Sequence, residues 1–295
     1  MNRTRPFLPY LAGGLAVAIW GATPAATAIL ARDVTPGLIG VARLMACAAV
    51  LVPVAILFRP RLPNDRRGWI ALLTSAVVGF FGSFMMQGLG IPRTSTTHAA
   101  LILTLPPVFT AITQFLLARR WPKRQWWVGS GVAIAGVATL ILGRNLAGAA
   151  STSSLAGDLI VLAGAVTVSI GYVAGAKLSA RIGLFAATTW SLLLGAAVTV
   201  PALPALLGGF ANVTWAGWAA LAFLALLCTL VGFAAWFWAL DKGGVASIAP
   251  LQFGQPVVSL IIAVTLLSED LSATILLALC LISCGVYLSR RAVSG

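Results

Sequence analysis

Charge is what this chain has least of. Of its 295 residues only 8% are charged, with six acids and one histidine, while 60% are hydrophobic and the mean hydropathy is +1.02. Soluble domains carry about 25% charged residues, so a water-facing globular fold is excluded. The acids Asp33, Asp65, Asp158, Asp241, Glu269 and Asp270 fall at or beyond the ends of apolar runs, which leaves no carboxylate to neutralise a cation or carry a proton at mid-membrane depth. Cysteine is equally sparse. Cys47, Cys228, Cys280 and Cys284 lie inside apolar runs without the spacing of a metal knuckle or an extracellular disulfide framework, and are read as reduced packing residues. The spans hold no paired carboxylates, metal-ligand cluster or nucleophile–base set, so no enzyme, metal or cofactor is expected.

Long apolar runs fill the chain instead. A spanning helix needs about 20 mostly apolar residues, and ten runs qualify: roughly 9–30, 36–58, 69–90, 96–119, 125–143, 156–178, 183–206, 215–240, 245–268 and 272–290. The first follows a basic start, "MNRTRP", and contains "PAATA", but it exceeds the apolar core of about 7–15 residues in a signal peptide and is read as a retained span. Fifteen of the 19 Lys and Arg lie at the two termini and in alternate loops, against Arg32, Arg93 and Arg144 on the other side. The positive-inside rule then places both termini in the cytoplasm of an inner (plasma) membrane. The net charge of +13 is thus topological. Its partner is the lipid bilayer with its anionic headgroups, not nucleic acid.

An internal repeat runs at an offset of 149 residues. "GWIALL" at Gly68 aligns with "GWAALA" at Gly217, "PPVFTAI" at Pro106 with "QPVVSLI" at Gln255, and "AGVATL" at Ala135 with "CGVYLS" at Cys284. Each unit, residues 1–147 and 148–295, holds five spans. Because five is odd, the second unit enters the membrane the other way up. The expected fold is an all-α polytopic membrane protein of ten transmembrane helices in two inverted five-helix repeats, an architecture of secondary transporters whose substrate site lies between the halves.

These residues resemble the drug/metabolite transporter superfamily, in its EamA-type branch. The resemblance covers nearly the whole chain and is carried by "AIWGATPAA" in the first span, "ARLMAC" around Arg43, the Pro-Val elements of spans four and nine, and "SED" before span ten. The first half departs from the last element, with "ARRW" where an acid would stand. Within the branch the pattern resembles bacterial aromatic amino acid exporters, and it implies alternating access by a protein that functions as a monomer. Small multidrug exporters of the same superfamily depend on a mid-membrane carboxylate, which this chain lacks.

Polar groups in hydrocarbon are costly and face the bundle interior, so they map the site. Gln252, Gln255 and Ser259 share one face of span nine, where Gly254 permits close approach and Pro256 removes a backbone donor. In the related span four stand His98, Leu101 and the paired Pro106 and Pro107. Trp20, Tyr172, Phe84 with Gln87, and Phe233 with Trp236 complete the candidate lining. Gly254, Pro106, Pro107 and Pro256 are the candidate hinges. Interhelical bonding is the alternative for the glutamines, and a satisfied structural role for His98. Arg43 is read as a structural charge bonded to backbone carbonyls or a helix C-terminus, with a substrate carboxylate as the alternative. A cavity of amides, hydroxyls and aromatics suits an amino acid, aromatic or large and hydrophobic, or a similar small metabolite. The alternatives are other metabolites or neutral drugs, and a non-transport membrane protein. The lack of a mid-membrane acid points to uniport down a concentration gradient, with proton coupling through His98 or a water chain as the alternative.

Overall fold

The computed structural model describes residues 7–118, 124–143, 154–210, 212–243 and 248–294. Among them every regular element is helical. In hydrocarbon an unpaired backbone group has no water to bond, so a chain this apolar satisfies its amides within helices. In the first half α1 (Phe7–Gly21) and α2 (Thr23–Leu30) are joined at Ala22, and α3 spans Pro36–Phe58. There follow α4 (Arg66–Leu73), a π-helical segment π1 (Thr74–Gly82), α5 (Ser83–Gly90), α6 (Thr96–Ile102), α7 (Pro106–Ala118) and α8 (Arg124–Gly143). The second half has α9 (Leu155–Ile182), α10 (Leu184–Thr199), α11 (Leu203–Gly209), α12 (Trp215–Ala222) and a second π-helical segment π2 (Phe223–Val231). It continues with α13 (Gly232–Gly243), a 3-10 turn at Ala249–Gly254, α14 (Gln255–Leu267) and α15 (Ala273–Ser294).

Seven helical stretches among the described residues are long and apolar enough to cross a membrane, and Gln255–Leu267 and Ala273–Leu288 are shorter apolar helices. The ten runs of the sequence therefore do not all become uniform long helices. Span nine divides between a 3-10 turn and the 13 residues of α14, and span four between α6 and α7. Pro106 and Pro256 stand in the first turn of the helices that follow these breaks, where a missing N–H deprives the helix of nothing. They open helices instead of kinking them. At the first break Thr104 Oγ1 donates to Leu101 O at 2.6 Å, and Ser169 Oγ, which donates to Ala165 O at 2.6 Å, lies 3.1 Å from Pro106 O.

Element boundaries recur at the offset read in the letters. Helix α4 begins at Arg66 and α12 at Trp215, π1 at Thr74 and π2 at Phe223, α7 at Pro106 and α14 at Gln255. Their caps match as well. Asp65 accepts from Gly68 N at one start and Thr214 from Gly217 N at the other, each satisfying an orphan N–H of the first turn. Packing partners also exchange between halves. Helix α1 packs on α13, while α9 packs on π1 and α5; α3 packs on α10, and α8 on α15. One crossing is at backbone contact: a Cβ built on Gly171 of α9 would lie 2.3 Å from the Gly79 Cα of π1. Only glycine fits there. Leu11, Ile56, Phe58, Leu116 and Leu266 are exposed on the outside of the bundle, and so are Trp69 and Trp218, 149 residues apart. Such a surface suits lipid, with tryptophan at its edges.

Candidate substrate site

Rings from three parts of the bundle converge on Phe233 of α13. Trp20 of α1 meets it edge-on at 5.2 Å between centroids, Phe80 of π1 at 6.2 Å and Tyr172 of α9 at 6.4 Å. Trp236, one turn on, lies 5.6 Å from Trp20. Such tilted pairs contribute about 0.5–1.5 kcal/mol each beyond area burial. Trp236 is buried and Trp20 and Phe233 half-buried, whereas Tyr172 is 42% exposed.

The backbone beside the cluster is π-helical in both halves, which offsets the usual ladder and frees groups for side chains. Trp20 Nε1 donates to the carbonyl of Cys228 in π2 at 2.9 Å, which fixes the indole plane. Thr229 Oγ1 donates to Leu224 O, five residues back.

Arg43 sits in this neighbourhood, 6% exposed. Its Nε donates to Thr229 Oγ1 at 3.1 Å, and its Cζ lies 3.8 Å over the Phe84 ring, a cation–π geometry. The partners expected from sequence, backbone carbonyls or a helix C-terminus, are not the ones found. A hydroxyl and a ring hold the charge because α3 packs on both π2 and α5, one carrying Thr229 and the other Phe84.

The remaining sequence candidates are dispersed. Gln87 is buried and donates to Ser83 Oγ at 3.2 Å within its own helix. Ser259 donates to the Gly21 carbonyl at 2.6 Å, a helix-to-helix bond at the break between α1 and α2. Leu101 is fully buried in a core cluster with Trp126 and Ile282. Gln252 and Gln255 are half-buried where the 3-10 turn meets α14, which packs against α1. Gly254 ends that turn, and Pro256 is buried in the first turn of α14. Pro107 follows Pro106 in the first turn of α7.

His98 has a partner that sequence reading missed. Its Nδ1–H donates to the Asp158 carboxylate at 3.1 Å, and Thr94 Oγ1 donates to the same group at 2.5 Å. Asp158 is at a span end, as the sequence says, yet it is completely buried in the first turn of α9. Other carboxylates tie this end of the bundle. Glu269 accepts from the backbone N–H of Thr96 and Thr97 at 2.6 and 2.9 Å, across the two halves, and Asp33 accepts from Thr214. At the other end a cleft of about 520 Å³ lies between α7 and α9, lined by Gln114, Leu117, Val173, Ala176, Lys177 and Ala180. None of the clustered rings lines it; Val173 is the residue after Tyr172 on α9. The volume of the cleft is in the usual range of small-molecule sites, about 300–1,000 Å³.

Known proteins resemble the chain over two thirds of its length or more. The model of the EamA-like transporter family matches residues 8–142 and again 155–291. The uncharacterized transporter YdeK of Bacillus subtilis is 28% identical over 99% of both chains. The uncharacterized inner membrane transporter YedA of Escherichia coli is 24% identical over 97% of this chain and 94% of its own. A probable terminal-alkyne amino-acid exporter of Streptantibioticus cattleyicolor is 30% identical over 67% of this chain and 65% of its own. A solved crystal structure shares the fold with a TM-score of 0.60 and 22% identity, covering 96% of this chain and 98% of that one.

Proposed function

The chain belongs to the EamA-like transporter family of the drug/metabolite transporter superfamily, and from that premise we propose that it exports amino acids, aromatic or large and hydrophobic, or similar small metabolites. It is a multi-pass membrane transporter and not an enzyme. The observation that carries the proposal is the ring cluster of Trp20, Phe80, Tyr172, Phe233 and Trp236, drawn from both halves of the chain. A planar, uncharged side chain is matched by such rings, and a bulky cation finds no carboxylate among them. The relative named for export of an amino acid supports the solute class.

The finer architecture follows the same reading. Residues 1–147 and 148–295 form two inverted five-helix repeats with ten spans, both termini cytoplasmic, functioning as a monomer. The matching elements at one offset and the exchanged packing partners support the two-repeat part of this reading. Transport proceeds by alternating access, with Phe84 beside the rings, Gln252 and Gln255 as lining at the start of α14, and the breaks at Pro106, Pro107, Gly254 and Pro256 as flexing points. In this topology the end tied by Glu269, Asp33 and Asp158 is external and the cleft between α7 and α9 lies toward the cytoplasm.

Bacteria overproducing the protein are expected to lower their intracellular phenylalanine and release it to the medium. The Trp20→Ala variant, made at equal abundance, should do so less. Reporter fusions at positions 124 and 144 should read cytoplasmic and external. Unchanged phenylalanine pools at full expression count against the solute class, and equal sidedness against the topology.

A further inference from the structure

Among the described residues Arg43 is a cation without an anion beside it. It is 6% exposed, and among the described residues neither ion pair involves it. The carboxylates of Asp65, Asp158 and Glu269 are held elsewhere, by Gly68 with Arg181, by Thr94 with His98, and by Thr96 with Thr97. Asp33 accepts from Thr214. The other titratable groups that face the guanidinium are Cys47, Cys228 and Tyr172. Buried charges in proteins are as a rule paired, and an ionisable group inside the membrane marks a functional position. One hydroxyl and one ring face are weak compensation for removing a guanidinium from water.

We propose that Arg43 binds the α-carboxylate of the transported amino acid. The guanidinium is already oriented for it. Its Nε edge is engaged by Thr229 and its flat face lies on Phe84, while the two Nη groups donate to no described residue. That remaining edge is a fork matched to two carboxylate oxygens. Phe84 continues into the cluster through Phe80, 5.9 Å away, and Phe80 into Phe233 at 6.2 Å. A solute anchored by its carboxylate at Arg43 thereby lays its side chain toward the rings, and the π-helical turn that aims Thr229 becomes part of the recognition. This role rests on the amino-acid reading above and narrows it to solutes with a free carboxylate.

The test compares phenylalanine with phenylalaninamide, which keeps the ring and the amine but not the anion. Purified wild-type protein in liposomes should carry labelled phenylalanine, and the amide should compete about tenfold or more weakly than the acid, the worth of a charge-assisted hydrogen bond. In Arg43→Gln that preference should vanish, with the amide unchanged and phenylalanine weakened to its level; Arg43→Lys, a charge without the fork, should fall between. Thermal melting gives a readout independent of transport. Phenylalanine should stabilise the wild type more than the amide does, and Arg43→Gln should not melt earlier than wild type, since it removes an uncompensated charge. Equal weakening of acid and amide, or an acid preference that survives in Arg43→Gln, overturns the role of Arg43 alone. Earlier melting of both variants assigns Arg43 to the fold and overturns it too. Failure of the wild type to carry phenylalanine overturns the amino-acid reading itself.

Discussion

Replacing Trp20 by alanine is expected to weaken phenylalanine transport roughly five- to a hundred-fold while affecting alanine transport far less. A solute ring in the cluster makes aromatic contacts worth about 0.5–1.5 kcal/mol each, and losing two of them gives that range at tenfold per 1.4 kcal/mol. Trp20 faces both Phe233 and Trp236, so its removal opens the cluster where a second ring would stack. Trp236→Ala should act in the same direction. Trp20→Phe separates two roles, because it keeps a ring but loses the bond from Nε1 to the Cys228 carbonyl. It should retain the preference for aromatic solutes. If Trp20→Ala slows phenylalanine and alanine by one factor, the ring serves the conformational cycle. If neither is slowed, Trp20 lies outside the path.

Asp158→Ala carries the largest expected loss of stability. The carboxylate is completely buried and accepts from both Thr94 and His98. Removing it orphans two buried groups at the start of α9, and breaking a buried, hydrogen-bonded charge in this way costs about 3–5 kcal/mol. Asp158→Asn should lose less, since the amide still offers an oxygen to the Thr94 hydroxyl. His98→Ala combined with Asp158→Ala should fall short of the sum of the single losses. Thermal melting in detergent reads all of these. Additive losses would show that His98 and Asp158 are not energetically coupled.

Helix content, the charge asymmetry and the offset of 149 were legible in the letters because each is a property of composition or of short motifs. Trp69 with Trp218 and Pro106 with Gln255 still mark the starts of matching helices. The π-helical segments were not legible. "TSAVVGFFG" and "FLALLCTLV" are apolar all round, so no periodicity distinguishes one extra residue per turn. The partners of His98 and Arg43 were hidden for a different reason. They lie 60 and 186 residues away, and only the packing of α6 on α9 and of α3 on π2 brings them together. Helical spacing makes Ser259 a lining candidate, and the relation of span four to span nine makes Leu101 one. Spacing says which residues share a face and not what that face meets, and here it meets the Gly21 carbonyl and the core around Trp126.

The most direct measurement is counterflow of labelled phenylalanine into liposomes holding the purified protein, against protein-free liposomes and with competing solutes. Saturable uptake is expected, suppressed by unlabelled tryptophan and tyrosine, much less by alanine, and not by bulky cationic dyes. Uptake no faster than in protein-free liposomes, or equal suppression by aromatic amino acids and cationic dyes, would contradict an exporter built around these rings.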